Sequence, residues 1–293
     1  VRILGAGLAG LLAGCHFQKA EIFEASAPRQ NEHKALLRFR SAAVGESVGI
    51  EFMPVRVHKA IWAAGKYVDP SPRWCNLYSQ KVTGGSTLGR SIWDTRSVTR
   101  YIAPEDFIQQ LVERCADRIH WKTPVSREAL EAGVPTISTI PMSFWDAESQ
   151  PEFRYSPITV KRYRVDRCDV YQTIYYPSFQ NNLYRASITG DLLIAEYVDE
   201  PNEFDHSEML KSFGISECQI DELEKVHQRF GKIEPIDELW RRNFIYQMTQ
   251  RHKVYSLGRF ATWRNILMDD VLQDIAVIKR LHSCSDYERF IRR

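Results

Sequence analysis

The chain has 293 residues, 44% of them hydrophobic and 26% charged, and a formal net charge of +2. That length allows one large or two modest domains with real cores, and the composition is ordinary for a globular protein. The near-neutral balance makes no demand for a nucleic-acid partner, though local basic clusters can still hold an anion, and no run approaches the roughly 20 apolar residues that a bilayer span needs.

In chain order, Val1-Arg2-Ile3-Leu4 reads as a short apolar strand. It runs into Gly5-Ala6-Gly7-Leu8-Ala9-Gly10 and then an apolar helix; Ala20-Glu21-Ile22-Phe23 reads as a second strand ending on Glu24. This is the layout of a nucleotide-binding βαβ unit. Gly5 permits the tight turn, Gly7 lets the backbone approach a pyrophosphate at the helix N-terminus, and Gly10 lets helix and strand pack closely. Glu24 is placed to accept hydrogen bonds from ribose hydroxyls. With no initiator Met, at least one residue is expected before Val1, and the strand-first start lacks the basic leader of a signal peptide.

Residues 25–49 read as a loop, with Ala35-Leu36-Leu37-Arg38-Phe39-Arg40-Ser41 in its middle. Between 50 and 101, short apolar runs are punctuated by Gly65, Asp69-Pro70, Ser71-Pro72, Gly84-Gly85 and Gly89, a pattern of short strands or an irregular insertion. The spacing predicts a helix over 104–116, with Phe107, Leu111 and Cys115 on its apolar face, then strands at 118–121 and 134–140. Residues 153–200 read as an antiparallel sheet with turns at Asp166-Arg167 and Gln180-Asn181-Asn182. Residues 206–250 read as helical, 254–257 as a strand reaching Gly258, and 268–281 as a final helix. Cys15, Cys75, Cys115, Cys168, Cys218 and Cys284 are scattered without a CxxC pair, which points to reduced thiols in a cytoplasmic protein. No His, Cys or carboxylate spacing suggests a metal.

Four segments resemble the glutathione-reductase-like flavoproteins, in the branch with amine oxidases and UDP-galactopyranose mutase. They are Gly5 to Gly10 with Glu24; His120-Trp121-Lys122-Thr123-Pro124-Val125; Pro135-Thr136-Ile137-Ser138-Thr139-Ile140-Pro141; and Ser256-Leu257-Gly258-Arg259-Phe260-Ala261-Thr262-Trp263 followed by Met268-Asp269-Asp270. The resemblance implies an α/β fold: a Rossmann-like FAD-binding domain split in sequence (1–50, 102–150 and 251–293), with an inserted antiparallel-sheet-plus-helix substrate domain (51–101 and 151–250). It implies tightly held FAD in an extended pose. Gly5, Gly7, Ala9, Gly10 and Glu24 would hold the nucleotide and Val125 the adenine through its backbone. Arg40 and the Gly258-Arg259 pair would approach the phosphates or flavin, and Asp269 the ribityl chain.

FAD supplies its own hydride chemistry, which is why no compact catalytic motif is expected. The first functional expectation is an oxidoreductase taking hydride from an amine-bearing carbon of a small or nucleotide-linked anionic substrate to flavin N5. The second is a non-redox enzyme like UDP-galactopyranose mutase, motivated by Tyr184-Arg185 and Gly258-Arg259. Here the Thr that separates Tyr from Arg in the mutases is absent, and their flavin-side histidine loop has no clear match, with His58 standing alone. The third is a flavoenzyme acting on a modified base in nucleic acid, motivated by the cation- and Tyr-rich sheet around Lys161 to Arg167. Tyr184, Arg185 and His58 are the candidate catalytic groups.

Overall fold

The structure, a computed structural model, describes residues 1–28, 38–85, 92–126, 133–145 and 152–291, without the side chains of 229 and 284–291. Ala35, Leu36, Leu37, Gly89 and the Cys284 side chain therefore lie outside the described residues. In chain order the strands are β1 (Arg2–Leu4), β2 (Glu21–Phe23), β3 (Arg38–Phe39), β4 (Met53–Ala63), β5 (Lys66–Val68), β6 (Val98–Ile102), β7 (Ile119–His120), β8 (Thr136–Ser138), β9 (Tyr155–Val165), β10 (Tyr171–Tyr175), β11 (Leu183–Thr189), β12 (Leu192–Tyr197), β13 (Ile220–Ile233) and β14 (Val254–Ser256). The helices are α1 (Leu8–His16), α2 (Ala43–Ser47), α3 (Pro72–Thr83), α4 (Phe107–Cys115), α5 (Met142–Trp145), α6 (Glu203–Phe213), α7 (Glu238–His252) and α8 (Met268–Ile291). They fall into two compact units: Val1–Pro54 with Tyr101–Phe153 and Pro235–Arg293, and Val55–Arg100 with Arg154–Glu234.

The first unit is built on a five-stranded sheet in the order β14-β8-β1-β2-β7, parallel throughout. Its helix α1 is apolar on nearly every side because it is packed on nearly every side. Leu11, Leu12 and Ala13 share one buried cluster with Ile3, Ile22, Phe107, Leu111, Ile137, Val271 and Ile275. Each such aliphatic side chain stabilises the unit by roughly 1.5–3 kcal/mol. On α4, Phe107, Leu111 and Cys115 are buried one turn apart, the apolar face the sequence predicts. A short antiparallel pairing, Arg38↔Ile102 and Phe39↔Tyr101, holds the segment that leads to Arg40.

The second unit is a sheet in the order β13-β9-β12-β11-β10-β4, with β5 turning back on β4. Its pairings are antiparallel except β10 with β4, which run parallel. α6 packs on a cluster with Tyr163, Val165, Ile174, Leu183, Ala186 and Tyr197. α3 packs on a different cluster with Ile61, Ile158, Val160 and Tyr184. Val160 and Tyr163 of one strand lie in different clusters, so the two helices cover opposite faces of the sheet.

Two expectations are corrected here. The stretch 206–250 is not continuously helical: α6 and α7 flank β13, a long strand. Leu223, Val226 and Phe230 fall near helical spacing, but β9 presents an open ladder, and Lys161–Glu222 (2.9 Å) and Arg162–Glu224 (3.5 Å) join the strands crosswise. Gly231 keeps the pairing close, since a Cβ there would stand 2.5 Å from Ile158 Cγ1. The insertion at 50–101 also contains α3, which has both helix boundary signals. The Ser71 hydroxyl accepts from Trp74 N–H at 3.3 Å, Pro72 sits at the first helical position, and Gly84 closes the helix with φ +72°. The final helix runs on to Ile291.

Candidate nucleotide-binding site

In a parallel sheet all strands end on one edge, and a ligand crevice forms where successive strands diverge to either side. In the first unit that point lies at β1, with β2 on one flank and β8 on the other. Gly5 leaves β1 with φ +96°, and its N–H donates to Phe23 O at 2.8 Å. A Cβ on Gly5 would fall 2.4 Å from Thr139 Oγ1, which itself donates to Leu4 O at 2.7 Å. A Cβ on Gly10 would fall 1.9 Å from Gly5 O, so the helix seats directly on the turn.

Gly7 is different. Its φ of −71° and ψ of 175° suit any residue, and a Cβ there would meet nothing within 4 Å. Neither backbone conformation nor packing requires this glycine. Open space stands in front of α1, whose first turn has no side-chain cap and no acidic residue. Unsatisfied N–H groups and the positive end of the helix dipole face that space, an arrangement suited to a phosphate.

The far end of the chain arrives at the same place. Leu257 N–H donates to Ser138 O at 2.9 Å, and Gly258 (φ +88°) follows; its absent Cβ would lie 3.0 Å from Ala9 Cβ. Thr262 ties this turn through N–H and Oγ1 to Gly258 O at 3.0 and 2.7 Å. Arg259 is half-buried beside it, its guanidinium carbon 5.5 Å from the Phe260 ring centre. Gly5, Gly7, Ala9, Gly10 and Gly258 are thus brought around one helix N-terminus.

Glu24 ends β2. One carboxylate oxygen accepts from Ala6 N–H at 2.8 Å, and the other from Ser26 N–H and Oγ–H at 2.9 and 2.6 Å. The acid therefore braces the glycine loop. Val125 lies half-buried just beyond the ladder in which Thr123 N–H donates to Glu24 O at 2.8 Å.

Arg40 and Asp269 also meet, but mainly each other. Asp269, 8% exposed at the start of α8, accepts from Arg40 N–H, Ser41 N–H and Ser41 Oγ–H, each at 3.1 Å. The Arg40 guanidinium pairs with Asp270 and lies 3.8 Å from Asp269. Burial pushes the Asp270 carboxyl up, but Leu267 N–H and Arg40 outweigh it and hold it below its ordinary value. Two carboxylates thus reduce the pull of Arg40 on any further anion.

Tyr184, Arg185 and His58 belong to the second unit. His58 is exposed on β4 opposite Gln172. Tyr184 is buried, with Lys232 Nζ 4.5 Å and the Arg185 guanidinium carbon 5.9 Å from its ring centre. Arg185 forms a two-pronged pair with Glu196. Sequence reasoning missed Ser26 and Thr139 as supports of the glycine loop. The only available signal for either was its position just past a strand end.

No protein-family model matches the chain, and no curated protein matches it in sequence. Solved structures match it in fold. Reduced UDP-galactopyranose mutase aligns with a TM-score of 0.69 at 13% identity, over 97% of this chain and 93% of that one. A protein from Photorhabdus luminescens described as an FAD-containing monooxygenase aligns at 0.53 and 10% identity, over 97% and 88%. The p-nitrophenol 4-monooxygenase PnpA from Pseudomonas putida aligns at 0.52 and 12% identity, over 88% and 71%. The shared architecture is a mixed α/β fold, with a Rossmann-like unit interrupted in sequence by a sheet-and-helix unit. Among the described residues, no helix is long and apolar enough to cross a membrane.

Proposed function

We propose that this chain is an FAD-dependent enzyme. The observation that carries the reading is Gly7: a glycine with no conformational or packing need, facing open space at an uncapped helix N-terminus, with Gly258 delivered beside it from the other end of the chain. The ADP half of FAD fits this donor set. The free N–H groups of the α1 first turn would take the pyrophosphate, Glu24 the ribose and the Val125 backbone the adenine. Arg259 would add charge beside the phosphates. Arg40 and Asp269 would fix the α8 start near the ribityl chain. Bound FAD supplies either hydride acceptance at N5 or, when reduced, a nucleophilic nitrogen.

The substrate reading is a small or nucleotide-linked anion. The oxidoreductase form takes hydride from its amine-bearing carbon. The mutase form has one observation in its favour, since the reduced mutase aligns over nearly the whole of both chains and with a higher TM-score than the two monooxygenases. In that form the substrate would be a sugar nucleotide, although Tyr184, buried under α3, and Arg185, paired with Glu196, are not placed to face it.

Purified protein mixed with FAD and desalted should retain the two-band visible spectrum of oxidised flavin, and Gly7→Val should lose it while keeping its fold. A folded wild-type chain that retains no flavin refutes the proposal. Peroxide formation with amine substrates, set against pyranose formation from UDP-galactofuranose by the reduced protein, separates the two reactions.

A further inference from the structure

Two sulfurs meet at the C-terminal end of α1, the end away from the glycine loop. Cys15, near the end of α1, and Cys115, the last residue of α4, have Sγ atoms 3.9 Å apart, although 100 positions separate them in sequence. Cys115 is buried, and its thiol points at Leu11 O of α1 at 3.8 Å; Cys15 is half-buried. The helices come close here because of Gly14, which has no left-handed φ to explain it. A Cβ on Gly14 would stand 3.0 Å from Cys115 Sγ and 2.6 Å from Ile22 Cδ1. Arg118 completes the surroundings. Its guanidinium donates to Gly14 O, Phe17 O and Ala20 O at 3.1–3.3 Å, which closes the C-terminal end of α1 and sets a cation beside the sulfurs. The hydrogen bond from Cys15, aided by Arg118, lowers the Cys115 thiol against the opposing effect of burial, while the same hydrogen bond and burial raise Cys15. A thiolate next to a cation is the reactive form of cysteine.

We propose that Cys15 and Cys115 are an oxidisable dithiol, converted by hydroperoxides to a disulfide that ties α1, the helix of the glycine loop, to α4. The Cys115 thiolate attacks the peroxide O–O bond, giving a sulfenic acid and one molecule of water. The half-buried Cys15 sulfur then displaces the sulfenic hydroxyl, which leaves as a second water. The two thiols lose two electrons and two protons in all, and hydrogen peroxide takes them up. The sulfurs must approach by about 2 Å to reach bonding distance. The bond closes a loop of 100 residues, the kind that restricts an unfolded chain strongly. The other described cysteines provide controls, because exposed Cys218 has Ser216 rather than a thiol beside it.

The test uses the full chain treated with stoichiometric hydrogen peroxide, alkylated in denaturant and digested without reductant. The expected product is one linked peptide pair joining Cys15 to Cys115, two hydrogens lighter than the separate peptides and released by dithiothreitol. The thermal midpoint should rise on the order of 5–10 °C on oxidation. Cys15→Ser should abolish both the link and the rise. Cys115→Ala serves the same purpose should Cys15→Ser not fold. If Cys218 is oxidised while Cys15 and Cys115 are both still alkylated as free thiols, or if the linked pairs are scrambled, the proposal is overturned.

Discussion

Lys81 gives the sharpest test of how the second unit is held together. It lies on α3, 8% exposed, and the three N–H groups of its ammonium are shared among Tyr176 O (3.0 Å), Ser178 O (2.7 Å), Asn181 Oδ1 (2.8 Å) and Leu183 O (2.6 Å). On the same segment, Asn182 N–H donates to fully buried Asp205 at 2.7 Å. A buried cation and a buried anion therefore grip the loop between β10 and β11. Lys81→Met keeps the length and removes the charge, leaving four oxygens without their donor. At 1–3 kcal/mol per unsatisfied group, and well short of additive, the loss should be about 3–5 kcal/mol. Burial pushes the Lys81 ammonium down to about 7, with Asp205 opposing it, against 10.5 for an ordinary lysine. Between those values the unfolded chain binds more protons than the folded one, so wild-type stability should rise with pH over that window. At about 1.4 kcal/mol per unit the rise has an upper limit of about 5 kcal/mol. Urea unfolding of both proteins at intervals from pH 7 to 10 reads this out, because every other titration is common to both. The stability gap between wild type and Lys81→Met should widen as pH rises. Parallel curves would refute the reasoning.

The glycines of the first unit should separate by role. Gly7→Ala should leave the unfolding midpoint within about 0.5 kcal/mol of wild type while flavin retention falls at least about tenfold. Gly10→Ala, whose Cβ would press on Gly5 O, should lose about 3 kcal/mol or more in the same melts. Glu24→Ala removes the acceptor for Ala6 N–H, Ser26 N–H and Ser26 Oγ–H and should cost about 1–2 kcal/mol in urea unfolding of the flavin-free protein, with a further loss of FAD affinity seen by titration. Gly231→Val would drive its side chain into Ile158 and should destabilise the β13 edge by about 1–3 kcal/mol, visible as faster amide exchange along that strand.

What could be read from the sequence follows the range of the physics involved. The βαβ opening was legible because its glycines answer to constraints within a few residues, and the observed β1, α1 and β2 match the reading closely. The return of the chain at Gly258 was legible only through a motif. The contact that gives that motif its meaning, Gly258 against Ala9, spans nearly the whole sequence. β13 was misread because its apolar spacing favours a helix, and only the open edge of β9 makes it a strand. Lys81 gave no signal at all. Its acceptors come from a loop about a hundred residues away, so local sequence shows only a lysine between Tyr78 and Val82.

Tyr184 shows why even a correctly predicted strand does not fix a site. Strict alternation along β11 would put Tyr184 on the same face as Ala186 and Ile188, under α6. The register instead shifts between Leu183 and Arg185, and Tyr184 enters the cluster under α3, with Ala186 and Ile188 left in the other. A one-residue bulge re-aims the side chain in this way, and it also lets Tyr184 lie alongside Arg185 rather than across the sheet from it. The tyrosine–arginine pair is therefore a product of the bulge, and the bulge follows directly on the loop that Lys81 and Asp205 hold. Loosening that loop should disturb the pair before it disturbs the rest of the sheet, so Lys81→Met should raise amide exchange at 176–185 more than at β12.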